Sequence, residues 1–348
     1  MVRADEATSG SYTPGIDFSY NSSGGDILIT RSGAGVYTVE FAKLGGAQAG
    51  ANVQVTAYGS GTESCKVQKW DSSGADFAAS VRCFTATGNQ RDTTYTVMVT
   101  RPKTVADRLG YALADQATSG SYIPDTDFSY NSSGGEVLIT RSGVGAYSVK
   151  LAGLGGGAQS GGNVQVTAHG PGDESCKAES WVSTGPDFTV LVRCIRGGIP
   201  IDTNYSLIVN WPQTAAEGLG YVTAGGIYTP PIPGIPAIKI LGIIIVPAIP
   251  EIPGYYTPTT AFRYNGSGGN VEEIRADFGS YKVTFFGLGS GAMASGNVHV
   301  TALGTGNEFC KVLSWTSTGS DFVAKVSCFT ATGIPIDTRY TLMVKMPP

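Results

Sequence analysis

A block of about 110 residues is written three times along this chain, and that repetition limits the available folds more than any other feature. "DFSYNSSGGDILITRSGAGVYTVEF" from Asp17 returns as "DFSYNSSGGEVLITRSGVGAYSVKL" from Asp127, and a more diverged "AFRYNGSGGNVEEIRADFGSYKVTF" begins at Ala261. "NVQVTAYG" at Asn52 returns as "NVQVTAHG" at Asn163 and "NVHVTALG" at Asn297. The blocks close on "RDTTYTVMV", "IDTNYSLIV" and "IDTRYTLMV". Solenoid units run to roughly 20–50 residues, so each copy here is instead the size of a domain able to bury its own core.

Within a copy, apolar residues fall on every second position. Val53, Val55 and Ala57 alternate with Gln54 and Thr56, and Tyr37, Val39 and Phe41 alternate with Thr38 and Glu40. This period predicts strands with one packed face and one wet face. Counting the run around Phe18, about seven strands fit in each copy between clusters of Gly, Ser and Asn. The expected fold is all-β, with three tandem immunoglobulin-like β-sandwich domains. Their bounds are 1–102, 103–213 and 214–348, joined by "RPKTVADRLGY" and "WPQTAAEGLGY".

Six cysteines form three pairs at one spacing: Cys65 and Cys83, Cys176 and Cys194, Cys310 and Cys328. A strand, a Ser/Gly turn and a second strand fill each interval. Folding the first hairpin about Gly74 sets Cys65 opposite Cys83, where a disulfide is feasible at a Cα separation of about 5.5 Å. A loop this short contributes about 3 kcal/mol by the chain-entropy argument. Two cysteines without a nearby His or third Cys make a poor zinc set. Repeated pairs therefore predict disulfides, an oxidising compartment and a secreted or surface-exposed protein.

Charge and hydropathy narrow the function classes. The net charge of -4 offers no basic excess for phosphates, so no nucleic-acid partner is expected, nor a polybasic membrane patch. No stretch reaches the 18 or so apolar residues of a membrane-spanning helix. No leader is visible, yet "ADEATSGSYTP" at Ala4 matches "ADQATSGSYIP" at Ala114, so Met1 falls partway into a repeat. The expected chain is a form whose leader or earlier part has been removed.

Chemistry is sparse. His169 and His299, the two histidines, stand in no nucleophile–base arrangement. "GLGGGA" at Gly153 and "GLGSGA" at Gly287 precede strands rather than helices, so they read as glycine loops and not dinucleotide sites. Four polar columns recur in all copies: Glu63, Glu174 and Glu308; Lys66, Lys177 and Lys311; Asp76, Asp187 and Asp321; Asp92, Asp202 and Asp337. The aspartates sit beside turns and strand starts, where a carboxylate caps backbone N–H groups. No catalytic residue, metal or cofactor is expected. Trp70, Trp181 and Trp315 follow the first cysteine of each pair by five residues and read as core packing, with a sugar-binding platform as the alternative. Asn21, Asn131, Asn204 and Asn265 match the glycosylation sequon, a weak signal in a serine-rich chain.

One segment breaks the pattern. "PIPGIPAIKILGIIIVPAIPEIPG", residues 231–254, is inserted near the first strand of the third copy between two occurrences of "YTP". Pro230, Pro233 and Pro236 mirror Pro253, Pro250 and Pro247 about Leu241-Gly242, which predicts a hairpin with Ile238 facing Ile245 and Ile240 facing Ile243. Proline at every third position denies the arms a normal ladder and favours extended polyproline-like chain. The insert holds eleven Ile, Leu and Val residues. Burial of each is worth about 1.5–3 kcal/mol, so the segment will seek apolar surface. Its own domains, a second subunit and a lipid bilayer are the three destinations. A second subunit is the leading one, with Ile235, Ile238, Ile240, Leu241, Ile243, Ile244, Ile245, Val246 and Ile249 as partner contacts.

The "CKVxxW…DFxxxVxCF" core at Cys65–Phe84 and Cys310–Phe329 resembles the repeats of uncharacterised secreted bacterial multi-repeat β-sandwich proteins. The resemblance spans the three copies but not the insert, and the middle copy departs from it at Ile195. It implies export and a non-catalytic role and carries no site residues. The expected protein is an extracellular structural or adhesive chain that assembles into an oligomer or fibre through the 231–254 hairpin. The alternatives are a carbohydrate-binding array meeting surface glycans and a membrane-active protein anchored by the same hairpin.

Overall fold

The computed structural model describes residues 1–46, 50–101, 108–212, 218–224, 238–240, 243–246, 255–256, 258–291 and 295–348. The described chain is almost wholly strand, as the period-two pattern requires, in three large sheets with three disulfides. Each repeat packs a sandwich-like core from alternate residues of its own strands. In the first, Val39, Phe41, Val53, Val55, Phe77 and Val81 are all closed to solvent. Burying each such side chain is worth about 1.5–3 kcal/mol.

The sheets do not stop at the repeat boundaries. In the eight-stranded sheet, Val2–Ala4, Thr94–Thr100 and Asn52–Tyr58 of repeat 1 continue into Phe309–Thr316 and Phe322–Phe329 of repeat 3. In the nine-stranded sheet, Asn163–His169 of repeat 2 lies beside Ser64–Asp71 of repeat 1. In the ten-stranded sheet, Ser175–Val182 of repeat 2 lies beside Asn297–Leu303 of repeat 3. All three junctions are parallel and chemically alike. Gly59 donates its N–H to Val312 O at 2.9 Å, Gly170 to Val67 O at 3.1 Å and Gly304 to Ala178 O at 3.1 Å. Repeat 1 thus meets repeat 2, repeat 2 meets repeat 3, and repeat 3 meets repeat 1. The three copies close into a ring rather than following one another in a row.

Closure changes the meaning of the alternation. Asn52–Tyr58, Asn163–His169 and Asn297–Leu303 line the centre of the ring and are buried on both faces. Gln54 and Thr56, expected on a wet face, are 1% and 6% exposed. Across the sheet they neighbour Met98 and Thr96, and Met98 joins Ile208, Met343, Tyr111 and Tyr221 in an apolar cluster drawn from all three repeats.

Other local expectations are adjusted. The run around Phe18 is a short 3-10 turn, Ile16–Phe18, repeated at Thr126–Phe128 and Thr260–Phe262. The second halves of the two linkers are strands, Leu109–Ala114 and Leu219–Ala224, paired with Asn204–Asn210 and Arg339–Lys345. The hairpin expected about Gly74 places Cys65 opposite Cys83, and the same register joins Cys176 to Cys194 and Cys310 to Cys328. The Cα separations are 4.1, 4.1 and 4.0 Å, shorter than expected. Cys83 turns both backbone groups away from Cys65, donating to Gly35 and accepting from Arg91, so the pair is of the closer, non-hydrogen-bonded kind.

Candidate functional site: a central lysine–glutamate chamber

The lysine that follows each first cysteine points to the opposite face of its strand from the half-cystine, and ring closure turns that face inward. Lys66, Lys177 and Lys311 are 3%, 4% and 1% exposed. Each ammonium is paired with the glutamate of the next repeat: Lys66 Nζ with Glu174 at 2.8 Å, Lys177 Nζ with Glu308 at 2.8 Å and Lys311 Nζ with Glu63 at 3.4 Å. The six residues line one chamber of about 70 Å³ at the centre of the ring. Arg91 adds a second contact to Glu63 at 3.3 Å, and Arg196 bonds both Glu174 and Asp173. Glu308 has Lys177 as its sole ion-pair partner among the described residues.

Burial and pairing pull against one another here. Loss of water lowers the pKa of all three lysines despite their carboxylate partners. Burial pushes Glu174 and Glu308 up, but the lysine hydrogen bond, the lysine charge and a backbone N–H together outweigh it and hold both below the ordinary carboxylate value. The charged pair is the consistent state at neutral pH.

Beside the chamber lies a second cyclic set of contacts. Thr167 Oγ1 accepts the Val55 N–H at 3.1 Å and donates to Gln54 Oε1 at 2.9 Å. Thr301 Oγ1 does the same for Val166 and Gln165, at 3.1 and 2.9 Å. At the third seam Thr56 Oγ1 lies 3.4 Å from the Val300 N–H and 3.3 Å from His299 Nδ1. The glutamine amides also reach Asn52 and Asn163, at 2.9 and 3.0 Å. The shorter imidazole does not, and His299 Nε2 and Asn297 Oδ1 find no partner among the described residues. Burial lowers His299 to about 3, so it is neutral in this setting.

The recurrent aspartates do what their turn positions predict. Asp92 takes a two-pronged bond from Arg31 at 2.9 and 2.8 Å, and accepts from Gly35 N and Tyr37 Oη. Asp202 repeats the set with Arg141, Gly145 and Tyr147. Gly35 has φ +65°, and a Cβ there would lie 2.5 Å from Cys83 O, so the capped turn admits only glycine. Asp76, Asp187 and Asp321 cap Lys43, Gly153 and Gly287. The Asn21, Asn131 and Asn265 amides are bonded within their own turns and to Ala42, Ala152 and Phe286.

A pH prediction follows from the arginine-paired carboxylates. The Arg31 and Arg141 hydrogen bonds, with the glycine N–H, hold Asp92 and Asp202 at about 2. The ordinary aspartate value is about 3.9. The folded form is therefore the stronger acid, and the stability from these pairs is complete above about pH 4 and lost as pH falls through 2. Urea midpoints should fall across that window, and Asp92→Asn/Asp202→Asn should flatten the fall. An equally steep fall in the variant would assign it to other groups.

The tryptophans sit at the seams. Trp70 packs edge-on to Phe128 and His169 of repeat 2, Trp181 to Phe262 of repeat 3, and Trp315 to Tyr58 of repeat 1. Of the insert, the backbone of Ile238–Ile240 and Ile243–Val246 forms a two-stranded antiparallel sheet. Ile240 pairs Ile243 as expected, whereas a bulge shifts Ile238 onto Val246 instead of Ile245. Ile235, Leu241 and Ile249 lie outside the described residues, as do the side chains of Ile238, Ile240, Ile243, Ile244, Ile245 and Val246.

Among the described residues no group of three or more His, Cys, Asp or Glu could hold a metal ion. Comparison with protein-family models, curated proteins and solved structures finds no match to the chain. The chamber residues were in view as repeated columns, but nothing along one copy links a lysine to the glutamate of the next. The available signal was the strict Glu-x-Cys-Lys at Glu63, Glu174 and Glu308.

Proposed function

We propose that the chain is an extracellular structural or adhesive protein: three immunoglobulin-like repeats stapled by disulfides and locked into one rigid ring, self-associating through the 231–254 hairpin. The observation that carries this reading is the fate of the recurrent polar residues. The chamber lysines and glutamates bind repeat to repeat, the aspartates cap turns, and the tryptophans fill seams. The described strands of the insert pair only with each other and join none of the three sheets. The disulfides suit an oxidising compartment. The seam positions of the tryptophans lend a sugar platform little support, and the double apolar face of the insert suits a protein partner better than a barrel strand in lipid. Joining Pro230 to Tyr255 and removing the insert should convert the assembled protein to a folded monomer by light scattering. An unchanged assembly would remove the hairpin from the account.

A further inference from the structure

We propose that the central chamber is a binding site for a small oxyanion, held jointly by Lys66, Lys177 and Lys311. An ammonium carries three donors. Each of these three makes one hydrogen bond to protein, to a glutamate, and no other among the described residues. All three are buried beyond nine-tenths, where polar groups normally find partners. A small cavity ringed by spare donors from three equivalent directions matches a group that presents several acceptor oxygens about one axis.

Volume and charge agree. A single water needs at least about 10–15 Å³, so a chamber of about 70 Å³ is large enough for a compact group of several atoms such as a sulfate or phosphate. The three lysines and three glutamates balance, while Arg91 and Arg196 against Asp173 leave one positive charge over. A second cavity of about 40 Å³ shares Ser64, Ser175 and Phe309 with the lining of the chamber. Burial lowers the three lysine pKa values despite their carboxylate partners, a direction that a bound oxyanion would offset. The site goes beyond a scaffolding role, since the ring closes through protein contacts alone.

The test uses the full chain and sodium sulfate as the probe, titrated calorimetrically at constant ionic strength, with selenate soaked into crystals to locate the anion. Wild type should bind one sulfate per chain. Glu308→Gln, which keeps an acceptor for Lys177 but removes a negative charge, should bind at least about tenfold tighter. Lys311→Met should lose the site, and the glutamine variant keeps the test decisive if the methionine variant does not fold. The anomalous peak should lie among the three Nζ atoms. Absence of binding, identical affinity in wild type and Glu308→Gln, or a peak only at Arg91 or Arg196 would overturn the proposal.

Discussion

Lys177→Met should destabilise the protein by about 3–5 kcal/mol, the usual cost of stranding one partner of a buried ion pair. Lys177 is 4% exposed and its carboxylate, Glu308, has no arginine to turn to among the described residues. Lys66→Met and Lys311→Met should cost less, because Glu174 keeps Arg196 and Glu63 keeps Arg91. The ordering separates this explanation from a general effect of losing a long side chain, which would be the same at all three sites. Replacing both members, Lys177→Met with Glu308→Leu, should recover most of the loss, since neither charge is then left buried without its partner. Denaturant midpoints at unchanged m-value report each difference.

A second large effect is expected at the threonine seams. Thr167→Val leaves the Val55 N–H and Gln54 Oε1 buried without a partner, and each unsatisfied group costs about 1–3 kcal/mol. Thr301→Val should cost the same, through Val166 and Gln165. Thr56→Val should cost clearly less, because its contacts at 3.4 and 3.3 Å are already the weakest of the three. Equal losses at the three positions would mean that the threonines contribute by packing and not by hydrogen bonding. Because valine keeps the shape of threonine, the series isolates the hydroxyl.

These seams also mark where the sequence became silent. The strands were legible because a two-residue period reports one packed face, and the disulfides because a fixed spacing around a turn sets Cys65 opposite Cys83. The same period misled at Gln54 and Thr56. A polar residue on alternate positions reads as solvent-facing, and only closure of the ring shows that the second face is a polar core satisfied by a neighbouring repeat. Glu63, Lys66 and Asp92 were equally visible as repeated columns. Asp92 finds its partner Arg31 within one copy, so its capping role could be argued locally. Lys66 finds Glu174 108 residues away, in the next copy, where no local spacing points. The mirrored prolines foretold the pairing of Ile240 with Ile243 but not the bulge that moves Ile238 onto Val246.

Ring closure is the claim on which the chamber, the seams and the buried polar strands all depend, and differential scanning calorimetry tests it most directly. Unfolding enthalpy runs at about 0.7 kcal/mol per residue, so a ring that melts as one unit should give a van't Hoff enthalpy of about 240 kcal/mol, equal to the calorimetric value. Three repeats melting independently would give van't Hoff values of about 80 kcal/mol, about a third of the heat absorbed. One transition with matching enthalpies is the predicted result, and a threefold mismatch or three resolved transitions would contradict it.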